Sequence, residues 1–140
     1  MIKDDLYYMN QAYNEALKAY DKNEIPVGAV IVCNGKIIAR GHNLRDSSNI
    51  VTKHAEIIAI EKANKKKKNW RLIDCILYTT LEPCNMCKEV IKETKINKVI
   101  YGASGKNPSK EEKIIQIKDQ NIIAQCENII CKMFKNIREK

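Results

Sequence analysis

The sequence has no long hydrophobic run: its 140 residues contain no stretch of about 18 apolar residues, which excludes a membrane-spanning helix. The first residues, MIKDDLYYMNQ, also lack the apolar segment and small-residue cleavage site of a signal peptide. The cytoplasm is therefore the expected location. Internal repeats and linkers are missing too, and the one low-complexity tract is the lysine run at 65–68. We therefore expect a single domain over residues 1–140.

Histidine is scarce, with two residues, whereas cysteine occurs six times. Because nothing points to secretion, a disulfide framework is not expected. Four cysteines fall in or beside apolar segments, where cysteine commonly acts as a small hydrophobic residue; these are Cys33, Cys75, Cys126 and Cys131. Cys84 and Cys87 remain, and they need another explanation.

The formal net charge of +8 favours a polyanionic partner, nucleic acid above all. The same excess can arise from a composition biased towards lysine, in which case KANKKKKNW is a solvated loop. Charge alone leaves both interpretations open.

The apolar spacing predicts the element order α-β-β-α-β-α-β-β-α. Helices are expected at about 4–22, 54–64, 84–94 and 125–138. VGAVIVCNGKIIARG contains two strands around Asn34-Gly35, a strong hairpin signal, and the further strands are CILYTTL, NKVIYGA and part of KIIQIKDQNII. HNLRDSSNIVTK is expected to be a polar loop. Strands that alternate with helices pair in parallel and are covered on both faces, so we predict a three-layer α/β/α sandwich with a central mixed five-stranded sheet.

Cys84 and Cys87 stand three residues apart at a predicted helix start, directly after Pro83. Both sulfurs can point the same way, and the helix N-terminus favours thiolates, which bind zinc. Thioredoxin-like redox pairs share the C-x-x-C spacing but usually lie near the N-terminus. His54 offers a third ligand, and three protein ligands with one open position are typical of a catalytic zinc.

Glu56 follows His54 by two residues. Zinc lowers the pKa of a bound water towards neutrality, and a carboxylate must then carry the proton to a leaving group. On a regular helix residues two apart point to different sides, so the pair can serve one metal only if His54 lies at the helix entrance.

HAE at 54–56 and PCNMC at 83–87 match H-x-E…P-C-x-x-C, the signature of the zinc deaminases. Over nearly the whole chain the sequence resembles the tRNA-specific adenosine deaminases, in EIPVGAVIV, GHN, WRLIDCILYTTLEPCNMC, KVIYGA and CENIICKMFKNIR. The resemblance implies a cytidine deaminase-like fold. It also implies one zinc per subunit bound by His54, Cys84 and Cys87, with Glu56 as the proton shuttle.

The same resemblance implies hydrolytic deamination of adenosine to inosine at the tRNA wobble position, by a homodimer that contacts the anticodon loop. Asn43 would hold the base or ribose, with a loop cap as the alternative role. Ile25 and Val27 would line the base pocket. Phe134 would be a pocket aromatic or a plain core residue.

The sequence departs from this family after YGA, where SGKNPSKEEKIIQIK is shorter than the family's Gly-rich and helical segment. That segment helps the family to hold RNA, so a deaminase of a free base or nucleoside (cytosine, guanine or adenosine) is the open alternative. A noncatalytic zinc-stabilised binding protein is a third hypothesis, which the presence of Glu56 disfavours. Phosphate contacts are expected from lysines and an arginine near the pocket, namely Lys53, Lys106, Lys110, Arg138 and Lys140, and not from the run at 65–68.

Overall fold

A mixed five-stranded sheet in the order β2-β1-β3-β4-β5 forms the centre of the protein. The computed structural model describes residues 3–106 and 108–138. Strands β1 (Gly28–Cys33) and β2 (Lys36–His42) form an antiparallel hairpin, and β1 is also antiparallel to β3 (Cys75–Leu81). Strands β4 (Lys98–Ala103) and β5 (Ile114–Gln116) continue the sheet in parallel. The predicted mixed sheet is confirmed.

The hairpin turn is formed by the two residues that the sequence indicated. Asn34 and Gly35 both have positive φ angles, 52° and 77°. A two-residue turn with two positive φ angles matches the right-handed twist of its strands, and asparagine followed by glycine adopts it at low cost.

Helices cover both faces of the sheet. They are α1 (Asp5–Asp21), α2 (Arg45–Ser48), α3 (Ala55–Lys67), α4 (Asn85–Thr94) and α5 (Gln120–Arg138). Strand β1 alternates between the two cores: Ala29 and Ile31 pack with α3 and α4, whereas Val30 and Val32 pack with α1 and α5. The predicted three-layer α/β/α sandwich is therefore confirmed. In the part of the chain that the structure describes, no helix is long and apolar enough to cross a membrane.

The structure corrects the sequence-based boundaries in two places. The expected polar loop after β2 contains the one-turn helix α2, which the Glu24 carboxylate holds by accepting hydrogen bonds from the Asp46 and Ser47 amides. Helix α5 begins at Gln120 rather than near 125, because the Asp119 side chain accepts a hydrogen bond from Ile122 N at 3.0 Å and so caps the helix. The strand before it is correspondingly short.

Candidate metal centre and active site

Two helix N-termini meet at the edge of the sheet where β3 ends. His54 is the N-cap of α3 and Cys84 is the N-cap of α4, and both have extended backbones, with ψ angles of 154° and 171°. Neither side chain caps its own helix by a hydrogen bond. The imidazole and the thiol are therefore free to turn towards a common point between the helices.

The three predicted ligands lie together at this point. His54 Nδ1 is 3.7 Å from Cys84 Sγ and 3.6 Å from Cys87 Sγ, and all three ligand atoms lie within 4.8 Å of one another. Tetrahedral zinc with its usual bond lengths separates a sulfur and a nitrogen ligand by about 3.6 Å. One nitrogen and two sulfurs at this spacing fit a zinc ion, and one tetrahedral position is left without a protein ligand from this group.

Glu56 lies beside these ligands, in the first turn of α3. Its side chain is buried, with 4% of the residue exposed, and it shares a hydrogen bond with the Cys87 thiol. Burial raises the pKa of the Glu56 carboxyl above its ordinary value. Because His54 precedes the helix, the two-residue spacing no longer turns the two side chains apart.

His54 itself is half-buried, and its environment favours the neutral ring. Burial, and then the positive charge of Arg45, lowers the pKa of the imidazole. A neutral imidazole is the form that ligates a metal.

A cavity opens directly onto the candidate metal centre. Its walls include the predicted substrate residues Ile25, Val27 and Asn43, together with Glu56 and the ligands His54 and Cys84. The Asn43 side chain also orders the loop: Nδ2 donates to Ile25 O at 3.4 Å and Oδ1 accepts from Arg45 N at 3.1 Å. Both roles that the sequence suggested for Asn43 are thus compatible with its position.

Phe134 is not among the described residues that line this cavity, and it is not buried in the core. It lies near the end of α5 with 46% of its surface exposed. The buried stripe of that helix runs through Ile122, Cys126, Ile129 and Met133. Phe134 is one residue beyond Met133, which turns its side chain by about 100° towards solvent.

Sequence reasoning missed Arg45 and Glu82, which also line the cavity. Glu82 is buried and accepts hydrogen bonds from Gly105 N at 2.9 Å and Ser109 N at 2.6 Å. Burial acts to raise the pKa of Glu82, but these amide donors outweigh it and hold the pKa below its ordinary value. The sequence did offer a signal for Glu82, because it is a charged residue directly before Pro83 and after an apolar strand.

The second histidine is engaged elsewhere. His42 Nδ1 lies 3.1 Å from a carboxylate oxygen of the buried Glu15, and its Nε2 lies 2.9 Å from Lys22 Nζ.

Larger grooves beside α4, beside Trp70 and between α1 and α5 have no cysteine or histidine among their described lining residues. The smaller cavity is therefore the candidate functional site, because its walls contain the potential metal ligands His54 and Cys84.

A zinc deaminase is the class that this fold and this site define. Residues 2–103 match the family model for the cytidine and deoxycytidylate deaminase zinc-binding region, so the chain belongs to that family.

Curated relatives are named for one member of the class. The chain is 40% identical to a tRNA-specific adenosine deaminase of Streptococcus pyogenes, over 99% of this chain and 95% of the relative. It is 48% identical to the Bacillus subtilis protein of the same name, over 74% of this chain and 63% of the relative.

Similar solved structures confirm the deaminase fold. They include deaminases named for two different kinds of substrate. One comes from work on A-to-I editing by tRNA:A34 deaminases at the wobble position of transfer RNA, with a TM-score of 0.73 and 33% identity over 80% of this chain and 98% of that chain. Another is the guanine deaminase of Bacillus subtilis, with a TM-score of 0.71 and 31% identity over 90% of this chain and 93% of that chain.

The role of Glu24 in holding α2 beside the cavity gives a test of pH dependence. Burial acts to raise the pKa of this carboxyl, but the donors at Ser47 and Asp46 hold it below its ordinary value. The ionised group therefore stabilises the folded state at pH values above the unfolded pKa of about 4.3, and this contribution is lost as the pH falls through the lower folded pKa. We expect Glu24→Gln to lower the free energy of unfolding by about 1–3 kcal/mol at pH 7.

Urea unfolding of both proteins from pH 7 to pH 3 measures this difference, which should shrink at the acid end as Glu24 of the wild type becomes protonated. Asp46→Asn is the matched control, because its exposed carboxylate holds no backbone amide of α2. A constant difference between wild type and Glu24→Gln across the pH range would contradict the ionised role.

Proposed function

We propose that this protein is a zinc-dependent hydrolytic deaminase that converts adenosine to inosine at the wobble position of tRNA. The observation that carries the proposal is the buried Glu56 carboxylate beside a ready set of one nitrogen and two sulfur ligands, at the end of a cavity with an apolar wall. The substrate is supported by the identity with tRNA-specific adenosine deaminases along nearly the whole chain.

In this proposal His54, Cys84 and Cys87 hold one zinc per subunit, within a single deaminase domain. Zinc bound there would acidify a water molecule. Glu56 takes a proton from the water whose oxygen bonds to the ring carbon that carries the exocyclic amino group, and it donates this proton to the amino group, which leaves as ammonia when the C–N bond breaks. The first turn of α3 holds Glu56 beside these ligands, on the wall of the cavity that the base would enter.

Recognition of the base falls to Asn43, Ile25 and Val27. The Asn43 amide carries two N–H donors, and one of them bonds Ile25 O. The second donor is available to an acceptor on the base or ribose. Ile25 and Val27 supply the apolar wall against which a flat ring packs.

The RNA would be held by the positive surface around the cavity. A base in an anticodon loop is already unpaired, so little unstacking energy is needed before it enters the cavity. Glu82 ties the segment that carries Lys106 and Lys110 to the cavity wall. Lys53 instead pairs with Glu61 at 3.1 Å, and Lys140 and the Arg138 side chain lie outside the described residues. A cytoplasmic homodimer is part of the proposal, and sedimentation equilibrium tests the dimer.

A second candidate is deamination of a free base such as guanine. The short segment after β4 favours it, as does the similarity to the Bacillus subtilis guanine deaminase over 90% of this chain. The two candidates share the zinc chemistry and differ in whether RNA is needed.

Removal of one ligand tests the metal site. We expect the wild type to contain one zinc per chain and Cys87→Ala to lose most of it, because two protein ligands bind zinc far less tightly than three. Metal analysis of purified protein measures this, with Cys126→Ala as the control, since that buried thiol packs against β4 and α1. Full zinc content in Cys87→Ala would disprove the assignment.

A substrate panel tests the function. Purified protein is supplied with an anticodon stem-loop RNA containing adenosine at the wobble position, and separately with guanine, cytosine and free adenosine, and ammonia release is measured. We expect turnover of the RNA, with inosine at that position. Release of ammonia from guanine alone would support the second candidate.

Glu56→Ala serves as the inactive control in the same assay. It should retain zinc and fold, and lose about 10²–10⁴-fold in turnover, because general acid–base catalysis contributes that much. Activity within tenfold of the wild type would exclude Glu56 as the proton shuttle.

Charge reversal tests the RNA surface. Lys106→Glu with Lys110→Glu should weaken RNA binding and reduce the salt dependence by about 0.7 in log–log slope for each phosphate that the protein no longer neutralises. The matched control is Lys65→Glu with Lys66→Glu, which changes the net charge equally. Those residues lie at the far end of the 13-residue helix α3, about 15 Å or more from His54.

Fluorescence titrations of labelled stem-loop RNA at several salt concentrations measure both variants. Equal losses of affinity in the two variants would mean that the whole basic surface attracts RNA at no defined position. Unchanged binding in both, together with turnover of a free base, would exclude the RNA substrate.

A further inference from the structure

Two cysteines outside the active site face each other across neighbouring strands. Cys33 is the last residue of β1 and Cys75 is the first residue of β3, and the antiparallel register pairs them directly. The zinc ligand Cys84 follows the other end of β3, a strand of seven residues. At about 3.3 Å per residue, the two cysteines therefore lie about 20 Å from the active site.

The backbone geometry of this pair suits a covalent link. The Cys75 N–H donates to Leu72 O at 3.1 Å, and the Cys75 carbonyl accepts from Asn97 N at 3.1 Å. With its only N–H used, Cys75 cannot exchange a pair of hydrogen bonds with Cys33, so the two form a non-hydrogen-bonded pair with Cα atoms about 4.5 Å apart. That separation lies within the range of about 4.4–6.8 Å found across disulfides.

The sulfur atoms are also close, since both lie within 4.8 Å of each other and of an Asp74 carboxylate oxygen. The bond between them therefore requires rotation of the side chains and no movement of the strands. The other cysteines do not lie on strands: Cys126 and Cys131 are both on α5, and Cys84 and Cys87 are at the start of α4.

The surroundings of the pair favour reaction at Cys33. Its thiol donates to Asp74 Oδ2 at 3.2 Å, and Lys67 Nζ lies 3.7 Å from Cys33 Sγ and 3.9 Å from Cys75 Sγ. Cys33 is half-buried and Cys75 is buried, so a small oxidant reaches Cys33 first.

We propose that Cys33 and Cys75 are a reversible oxidation site that closes to a cross-strand disulfide when a peroxide is present. The Cys33 sulfur attacks one peroxide oxygen and gives up its proton, the O–O bond breaks, and the hydroxide that leaves takes up this proton as water. The Cys75 sulfur then attacks the Cys33 sulfenic acid, the S–O bond breaks, and a second water leaves with the thiol proton. Two thiols lose two electrons and two protons, hydrogen peroxide becomes two waters, and a thiol reductant reverses the bond.

The same cluster could also suit a metal ion, but Lys67 argues against it. Its ammonium already lies against both sulfurs and forms an ion pair with the Asp74 carboxylate. A divalent cation would have to displace that positive charge from between its own ligands. Disulfide formation leaves the Lys67–Asp74 pair intact.

Peptide mapping of the oxidised, zinc-loaded full chain tests the proposal. The protein is treated with hydrogen peroxide, free thiols are alkylated, and the chain is digested. Trypsin leaves Cys33 in residues 23–36 and leaves Cys75, Cys84 and Cys87 together in residues 72–88. Chymotryptic cleavage after Tyr78 then separates Cys75 from the two zinc ligands.

We expect a reducible cross-link between the Cys33 and Cys75 peptides, with the zinc content unchanged. Cys33→Ser should abolish the cross-link, whereas Cys131→Ser, which removes an exposed cysteine, should leave it at the wild-type level. Three results would overturn the proposal: sulfinic acid at Cys33 with Cys75 fully alkylated, a cross-link that includes Cys84 or Cys87, or a second zinc per chain that Cys33→Ser removes. None of these readouts depends on the substrate of the enzyme.

Discussion

The antiparallel pairing of β1 with both of its neighbours is the constraint on which the active site depends. Gly28 pairs with His42 and Ala29 pairs with Thr79. The start of β1, the end of β2 and the end of β3 therefore meet at one edge of the sheet. The cavity walls come from the residues just beyond these strand ends, so the hydrogen-bonded register alone brings together segments that are far apart in sequence.

Close packing of α3 against β2 then determines how near the candidate metal ligand His54 lies to the sheet. A Cβ atom at Gly41 would lie 2.5 Å from Ala55 O and 2.8 Å from Ala59 N. These are backbone atoms of the first two turns of α3, which cannot move aside as the end of a flexible side chain can. Glycine at 41 thus lets α3 begin directly on the sheet, where His54 and Glu56 face the end of β3. A larger residue would move the metal ligand and the carboxylate away together.

The parts of the fold that the sequence predicted are those fixed by local chemistry. Asn34-Gly35 determines the hairpin, and the apolar run of β3 determines a strand covered on both faces. The candidate zinc ligands could also be predicted from the sequence, because one histidine and two cysteines in two short motifs are the ligand types that zinc prefers. Each of these signals lies within a few consecutive residues.

The parts that sequence reasoning missed depend on contacts between distant segments. Helix α2 is polar and only four residues long, and it is held by Glu24, which lies about twenty residues earlier in the sequence. Phe134 is aromatic, as residues of a base pocket often are, but it lies one position beyond the buried stripe of α5. Cys33 and Cys75 were interpreted as separate packing residues, because their pairing follows from the register of two strands and from no local motif.

The short segment after β4 shows how a departure from a family can be compatible with its function. Two of its amides, at Gly105 and Ser109, donate to the buried Glu82 carboxylate, which is itself part of the cavity wall. Without these donors the buried carboxylate would carry a large desolvation penalty, so the segment is held against the cavity despite its length. The backbone on either side of Lys106 and Lys110 is consequently attached to a residue of the cavity wall. A segment of this length therefore needs no helix of its own to be fixed in place, because the two amide bonds to Glu82 hold it beside the cavity.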